Sequence, residues 1–356
     1  MHLFFLAALL TTIPPVQAPE PNRQPELASA LGLTALVFGS GNSIWFSASR
    51  DNGRTFSKAT EVARVPVLAL GRHRGPRVVI SGKVIVVTAV YGETAATGPR
   101  AHGLPVNGDL VAWRSTDGGR SWSAPVVVND APGSAREGLH AIAAANQGEL
   151  AAVWLDLRSP GTRLYGAYSN DAGATWSKNV LIYQSPGGTI CQCCDPSVAS
   201  SGKHQFEVMF RNVVGDARDM YLTTWDLYGQ VSNPRKVGIG SWNINACPMD
   251  GGGVARRGGK VVTAWRREKT VYLDEPGQPE TALGNGKDVA LTSSVKGPYV
   301  AWSGSSCIEL HRPGVANASC IASPSNGGFP ALVSLSDGSI LVAWEQEGKI
   351  QLKIVD

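Results

Sequence analysis

Residues 115–122 read Ser-Thr-Asp-Gly-Gly-Arg-Ser-Trp, and close copies of this octapeptide stand at residues 49–56 and 169–176. Each copy lies between two β-rich runs and fits Ser-x-Asp-x-Gly-x-Ser/Thr-Trp/Phe. This pattern predicts a hairpin turn, because glycine readily adopts a positive φ and the Asp side chain can accept backbone N–H groups inside the turn. The aspartates of the three copies are therefore predicted to be structural: Asp51, Asp117 and Asp171.

A second, weaker repeat is a glycine followed by a β-rich run that often ends in Val-Ala-Trp. Its seven copies begin 38 to 66 residues apart, at Gly32, Gly82, Gly148, Gly202, Gly259, Gly297 and Gly338. Propeller repeats of roughly 40–50 residues plus loops each form one four-stranded blade. We therefore predict that residues 19–356 form a single all-β propeller, with seven blades by the repeat count. The last unit has three predicted strands, so the segment after Ala18 is expected to supply the fourth and close the ring.

The composition agrees with a turn-rich β protein and excludes several other classes. The chain has 41 Gly and 10 Trp among 356 residues, and 32 Lys and Arg against 28 Asp and Glu give a net charge of +4. This balance excludes a basic arm that binds nucleic acid, so no nucleic-acid partner is expected. An apolar fraction of 43% excludes a disordered chain.

The first 18 residues have the pattern of a signal peptide. They contain no charged side chain, carry an apolar run over residues 3–10, and end Val-Gln-Ala, the small-x-small pattern of a signal peptidase site. No apolar run in the chain reaches the roughly 20 residues that a membrane-spanning helix needs. We therefore predict a signal peptide over residues 1–18, a secreted or periplasmic protein, and no stable membrane anchor.

These motifs resemble those of the sialidase superfamily. The octapeptide is similar to that family's Asp-box, or BNR, repeat, which lies at the periphery of the propeller, away from the active site. Residues 73–76 followed by 109–119 resemble the family's Arg-Ile-Pro blade with its Asp-box. Residues 195–198 and 210–212 are similar to its Glu-Pro-Ser-Val and Met-Arg-Asn motifs. The resemblance implies six blades where the repeats number seven.

The resemblance also implies a set of ligand-binding residues. Arg74 and Arg211 fall on two arginines of the family's carboxylate-binding triad, and Arg267, or its neighbour Arg266, is the candidate for the third. Three guanidinium groups converging on the axis would select an anionic sugar, because each can bind a carboxylate through two hydrogen bonds. Asp195 falls where a glutamate of the family polarises the nucleophile.

Two positions depart from the family's catalytic pattern. Phe329 falls on the tyrosine nucleophile, and a phenyl ring has no oxygen to attack an anomeric carbon. The loop at 93–108, where the family has its acid/base aspartate, contains no Asp, so Glu93 or His102 is the candidate proton donor. A water molecule activated by Glu93, Asp195 or Asp250 would be the alternative to a protein nucleophile, and Asp250 is also predicted to contact the substrate.

The cysteines suggest either disulfides or a metal site. Four of the six are expected near the axis, because the first strands of successive blades begin there: Cys191, Cys193, Cys194 and Cys247. They predict two disulfides, the favoured interpretation for an exported protein, or a copper or zinc site that His73 and His140 could join. Cys307 and Cys320 are predicted to form a local disulfide, and no cofactor is required.

These observations predict an exported propeller that recognises a carbohydrate or glycoconjugate at its axial pocket. By the resemblance the sugar is acidic, and the departures at the catalytic positions imply atypical or weak exo-glycosidase activity. Two alternatives stay open: a non-catalytic propeller that binds carbohydrate or protein, and a propeller that binds copper or zinc through its cysteines.

Overall fold

The computed structural model describes residues 10–356 except 99, 100, 102, 147, 203 and 324–326. The described residues form strands, turns and loops without a helix. The strands make seven antiparallel sheets, and the first strands of neighbouring sheets contact one another in a closed ring. The protein is therefore a seven-bladed β-propeller. The predicted all-β propeller is confirmed, with the blade number that the seven repeats indicated rather than the six of the resembled family.

Blades 1 to 6 run from the axis outward in chain order, and blade 7 takes its outermost strand from the N-terminus. Blades 1 and 2 contain β2 (Asn22–Ala30), β3 (Leu33–Ser40), β4 (Ser43–Ser49) and β5 (Thr60–Arg64), then β7 (Arg77–Ser81), β8 (Val84–Gly92), β9 (Asp109–Ser115) and β10 (Val126–Val127), with β6 (Val67–Leu68) also paired to β8. Blades 3 and 4 contain β11 (His140–Ala144), β12 (Leu150–Asp156), β13 (Arg163–Ser169) and β14 (Val180–Tyr183), then β15 (Ser197–Gly202), β16 (Gln205–Arg211), β17 (Met220–Asp226) and β18 (Arg235–Lys236). Blades 5 and 6 contain β19 (Gly253–Arg257), β20 (Lys260–Arg267), β21 (Thr270–Asp274) and β22 (Thr281–Asn285), then β23 (Lys287–Ser293), β24 (Pro298–Ser303), β25 (Ile308–His311) and β26 (Ser319–Ala322). Blade 7 contains β27 (Gly327–Ser334), β28 (Ile340–Gln346), β29 (Lys349–Val355) and β1 (Leu10–Ile13).

The N-terminal strand β1 closes the ring. It pairs with β29 in an antiparallel register that runs from Leu10 opposite Lys353 to Ile13 opposite Ile350. The expectation that the closing strand follows Ala18 was wrong, since β1 precedes that residue. Residues 1–9 of the predicted signal peptide lie outside the described residues, and cleavage after Ala18 stays a prediction. Within the described part of the chain, no helix has the length and hydropathy that crossing a membrane requires.

The two forms of the N-terminus are expected to differ in stability. A chain that starts at residue 19 lacks the pairing of β1 and the buried Ile13 side chain, and Asn22, buried at 1% exposure, loses the carbonyl of Pro14 to which it donates a 2.8 Å hydrogen bond. Loss of one buried isoleucine side chain alone lowers the free energy of unfolding by about 1.5–3 kcal/mol. We therefore expect chain 19–356 to melt at a lower temperature than chain 1–356. Equal melting temperatures would show that β1 contributes nothing to stability. The intact mass of the exported protein identifies which of the two forms accumulates.

The second strands of the blades explain the weaker repeat. Each glycine-initiated run is the second strand of a blade, and β12 is buried at every position. A strand covered on both faces favours a continuous apolar run rather than alternation. Seven clusters of apolar side chains fill the spaces between neighbouring blades, so the core is a ring of seven interfaces around the axis.

The three octapeptides form the turns between the third and fourth strands of blades 1, 2 and 3. In each turn the carboxylate accepts a backbone N–H four residues on: Asp51 from Thr55 at 2.9 Å, Asp117 from Ser121 at 3.0 Å and Asp171 from Thr175 at 2.9 Å. The hydrogen bonds from Thr55 and from Ser49 hold the pKa of Asp51 at about 2. All three carboxylates lie in the outer half of a blade and are used within their own turns.

Candidate functional site

A cavity of about 210 Å³ lies on the axis, and all seven first strands or the residues just before them contribute to its wall. Its polar side chains come from the starts of these strands. They are Gln24, Glu26, His73, Arg77, Asp195, Ser197 and Asp288, with Phe329 as the aromatic member. The starts of the first strands thus converge on one small water-accessible space.

Backbone bulges direct several of these side chains. The pairing of the first two strands shifts register between Arg23 and Glu26, between Lys287 and Ala290, and between Gly328 and Ala331. One residue inside each shift has positive φ: Gln24 at 55°, Asp288 at 58° and Phe329 at 53°. A bulge re-aims a side chain, and non-glycine residues adopt positive φ at a cost that the surrounding structure must offset. Three blades therefore use the same strained device to present a side chain to the axis.

His73 forms the centre of the charged group in the cavity. Its Nε2 lies 3.0 Å from Oδ1 of Asp288, and its Nδ1 lies 3.9 Å from Oδ1 of Asp195. Burial disfavours the imidazolium, but the nearby carboxylates of Asp195, Asp288 and Asp250 outweigh it and raise the pKa of His73 to about 9. The ring meets Phe329 edge-on, with centroids 5.1 Å apart. His73 is therefore a cation at neutral pH, held between two carboxylates that line the cavity.

Asp250 lies behind this group and positions it. The side chain is fully buried, and its carboxylate accepts the backbone N–H of Asp288 at 2.9 Å. Burial raises the pKa of Asp250 to about 6. Asp195 is tied to the same blade, because its Oδ1 accepts the N–H of Gly251 at 3.0 Å. A side chain at Gly251 would place its Cβ 1.8 Å from the Asp195 carbonyl oxygen, so only glycine permits this close approach.

The structure brings some of the predicted site residues together and separates others. Asp195 and Phe329 line the cavity, and Asp250 supports it from behind. Glu93 lies elsewhere, in a surface pocket with Tyr91 and Asp109. His102 lies outside the described residues.

The three predicted arginines do not converge on the cavity. Arg74 is 4% exposed and faces blade 3, where its Nη2 lies 3.5 Å from Glu137. Arg211 donates four hydrogen bonds to the backbone carbonyls of three residues, Asp250, Arg218 and Arg266. Arg267 pairs with Glu280 at 2.6 Å. Their guanidinium groups bind protein atoms in this structure, and Arg77 is the arginine found among the described lining residues.

Sequence reasoning missed Asp288, Gln24, Glu26 and Arg77 as lining residues. A signal for one of them was present, because Gln24, Asp195 and Phe329 each precede a proline at the start of a first strand. Proline in a sheet is found at the first residue of a strand or at a bulge, so it can mark a place where a side chain is re-aimed. Asp288 has no such marker.

The cysteines divide into three kinds. Cys307 and Cys320 are bonded, as predicted. Cys247 is a free, exposed thiol. The other three are buried together on one loop, with Sγ of Cys191 lying 3.1 Å from that of Cys194 and 3.7 Å from that of Cys193. Hydrogen bonding with Cys193 and Cys194 lowers the pKa of Cys191.

The two histidines that were predicted as possible metal ligands have other partners than these cysteines. His73 pairs with carboxylates, as described above, and His140 is fully buried with its Nε2 3.0 Å from Oγ1 of Thr88. Burial lowers the pKa of His140 to about 3, so this imidazole is neutral. His140 therefore acts as a core residue between blades 2 and 3.

No family model and no curated protein matches the sequence. Among solved structures, the chain is similar to an ulvan lyase of a polysaccharide lyase family, with a TM-score of 0.57, 9% identity, and 97% of this chain and 96% of that chain covered. It is similar to an intramolecular trans-sialidase from Ruminococcus gnavus, with a TM-score of 0.53, 10% identity and 94% of both chains covered. It is also similar to a Hadza microbial sialidase, with a TM-score of 0.51, 14% identity, and 94% of this chain but 66% of that chain covered. At these identities the similarity establishes the propeller fold.

Proposed function

We propose that the protein recognises a carbohydrate in the axial cavity. The observation that carries the proposal is the convergence of all seven first strands on one polar space that holds His73 between Asp195 and Asp288. The fold's similarity to two sialidases and a polysaccharide lyase supports a saccharide as the ligand class. At about 210 Å³ the cavity is smaller than the roughly 300–1,000 Å³ typical of pockets for drug-sized ligands, which suits one sugar ring.

The charges of the cavity favour a neutral or amino sugar. An acidic sugar was expected from the arginines at 74, 211 and 267, which bind protein groups instead. Asp195 and Asp288 offer carboxylate oxygens that can accept hydrogen bonds from sugar hydroxyl or ammonium groups, and Phe329 offers an apolar face. A ligand carboxylate placed beside Asp195 and Asp288 would be repelled by them, and the two lining cations, His73 and Arg77, already face these carboxylates and Glu26.

A second candidate is slow turnover of a glycoside at the same place. It is favoured by the protonated His73, whose imidazolium can donate a proton to a departing oxygen while Asp195 stabilises positive charge at the sugar. Phe329 supplies no nucleophilic oxygen, so no glycosyl intermediate can form on it. We propose that water is the nucleophile and that the activity is a weak exo-glycosidase activity.

We expect Asp195→Asn to weaken sugar binding about 10- to 100-fold, because it removes a charge-assisted hydrogen bond of about 1.5–3 kcal/mol. Neutral, amino and acidic monosaccharides are compared by saturation-transfer NMR and titration calorimetry, and turnover is followed with the matching aryl glycosides. If the residue also acts in catalysis, its loss lowers turnover by about 10²- to 10⁴-fold.

Asp216→Asn is the matched control. It makes the same chemical change at an exposed residue, on a loop of blade 4. Its affinity and turnover should equal those of the wild type. A wild type that binds none of the sugars contradicts the carbohydrate proposal. A wild type that prefers uronic or sialic acid contradicts our assignment of the charge preference.

A further inference from the structure

The three buried cysteines form a compact set of soft ligands. Cys191, Cys193 and Cys194 are 1%, 8% and 1% exposed, and their three Sγ atoms all lie within 4.8 Å of one another. The Cys191–Cys193 and Cys191–Cys194 sulfur pairs are hydrogen-bonded and form no disulfide. One short loop thus holds three thiols around a common point inside the protein.

Disulfide formation cannot use all three thiols. Three sulfurs can form one bond among themselves, which leaves a third thiol, and the fourth candidate partner, Cys247, is exposed and lies outside the group. The two predicted disulfides among these four cysteines are therefore not the arrangement found here. A single ligand bound by all three sulfurs accounts for the whole group.

Two buried cations lie beside the cluster. Arg74 interacts electrostatically with Cys193, and Arg211 with Cys191 and Cys194. Both guanidinium groups are buried, at 4% and 1% exposure. Arg74 also pairs with Glu137, and Asp250 interacts with Arg211, so the two cations offset only part of the charge of a metal thiolate cluster.

The donor atoms select the metal. Thiolates favour soft ions such as Cu(I), and Met249 packs against the cluster as an apolar neighbour. Structural zinc takes four ligands, whereas the described His, Cys, Asp and Glu groups place three donors here. We propose that Cys191, Cys193 and Cys194 bind one Cu(I) ion, each thiol releasing its proton to solvent as it coordinates. This site is separate from the sugar proposal, although Cys194 adjoins Asp195 in sequence.

The test is an anaerobic titration of the reduced full chain with Cu(I) supplied as its bathocuproine disulfonate complex. We expect the wild type to remove one Cu(I) per chain and to show sulfur-to-copper charge-transfer absorption in the near ultraviolet. Cys193→Ser should weaken binding by about 100-fold or more, since even residues that only support a ligand cost 10- to 100-fold. Cys247→Ser, the matched control at the free exposed thiol, should bind like the wild type.

Folding is checked independently, so that a failed variant is recognised. Near-ultraviolet circular dichroism and thermal melting are recorded for every variant, and Cys193→Ala replaces Cys193→Ser if the serine disturbs the buried loop. X-ray absorption at the copper edge should give three sulfur neighbours. Equal Cu(I) binding by wild type and a folded Cys193 variant overturns the proposal. So does stoichiometric Zn(II) binding without Cu(I) binding, or a Cys191–Cys194 disulfide that mild reductant leaves intact.

Discussion

Arg211→Ala is expected to lower the free energy of unfolding by about 3–5 kcal/mol, the range found when one partner of a buried charged interaction is removed. Arg211 lies at the end of β16 and is 1% exposed. Its Nε and Nη2 donate to the carbonyl of Asp250 at 3.1 and 3.0 Å, and Nη2 also donates to that of Arg266 at 3.0 Å. The substitution leaves these carbonyls buried without their donors. It also removes the hydrogen bonds that join blade 4 to blade 5 through Arg211.

Urea unfolding followed by tryptophan fluorescence measures the change. Arg235→Ala is the control, because Arg235 is an exposed arginine on β18 of the same blade and should stay within about 0.5 kcal/mol of the wild type. Arg211→Lys should also be strongly destabilised, since an ammonium group cannot reproduce the planar fork of donors. An Arg211→Ala protein that melts like the wild type yet loses an acidic sugar would restore the carboxylate-binding role that the sequence predicted.

The stability of the protein is expected to fall by about 3 kcal/mol as the pH rises through 9, because His73 then loses its proton. The carboxylates facing His73 raise its pKa from 6.5 to about 9 in the folded state. A raised pKa means that the folded state binds the proton more tightly than the unfolded state. The stabilisation is therefore complete below pH 6.5 and is lost as the pH rises through 9. The groups that face the ring are Asp195, Asp288, Asp250 and Phe329.

His73→Gln isolates this contribution. Urea unfolding is compared between pH 6.5 and pH 10 for both proteins, and lysine and tyrosine titrations common to both cancel in the difference. We expect the gap in stability between wild type and variant to close as the pH rises. In the wild type, the pKa of Asp250 of about 6 places the loss of its own stabilising contribution between pH 4 and 6, below this window. A gap that is constant with pH would show that His73 is neutral in the folded protein.

The sequence by itself determined the architecture, since the signals that specify it are local. The turn octapeptides satisfy their own N–H groups through Asp51, Asp117 and Asp171, and the seven glycine-initiated runs are apolar because second strands are covered on both faces. The Cys307–Cys320 disulfide joins residues only 13 positions apart, so it too could be predicted from a short stretch of sequence. Repeated local patterns also led to seven blades where the family resemblance implied six.

Only the tertiary structure decided which side chains reach the axis and which strand closes the ring. Arg74 and His73 are neighbours in sequence, yet His73 enters the cavity with φ of 67° while Arg74 is buried against blade 3. Positive φ at Arg72 and His73 turns the chain just before β7, so neighbouring side chains leave in different directions, whereas bulges re-aim side chains in blades 1, 6 and 7. No sequence pattern marks the turn at His73 or the bulge at Asp288. The pairing of Leu10 with Lys353 joins the two ends of the chain, and such a contact depends on the completed ring rather than on either segment.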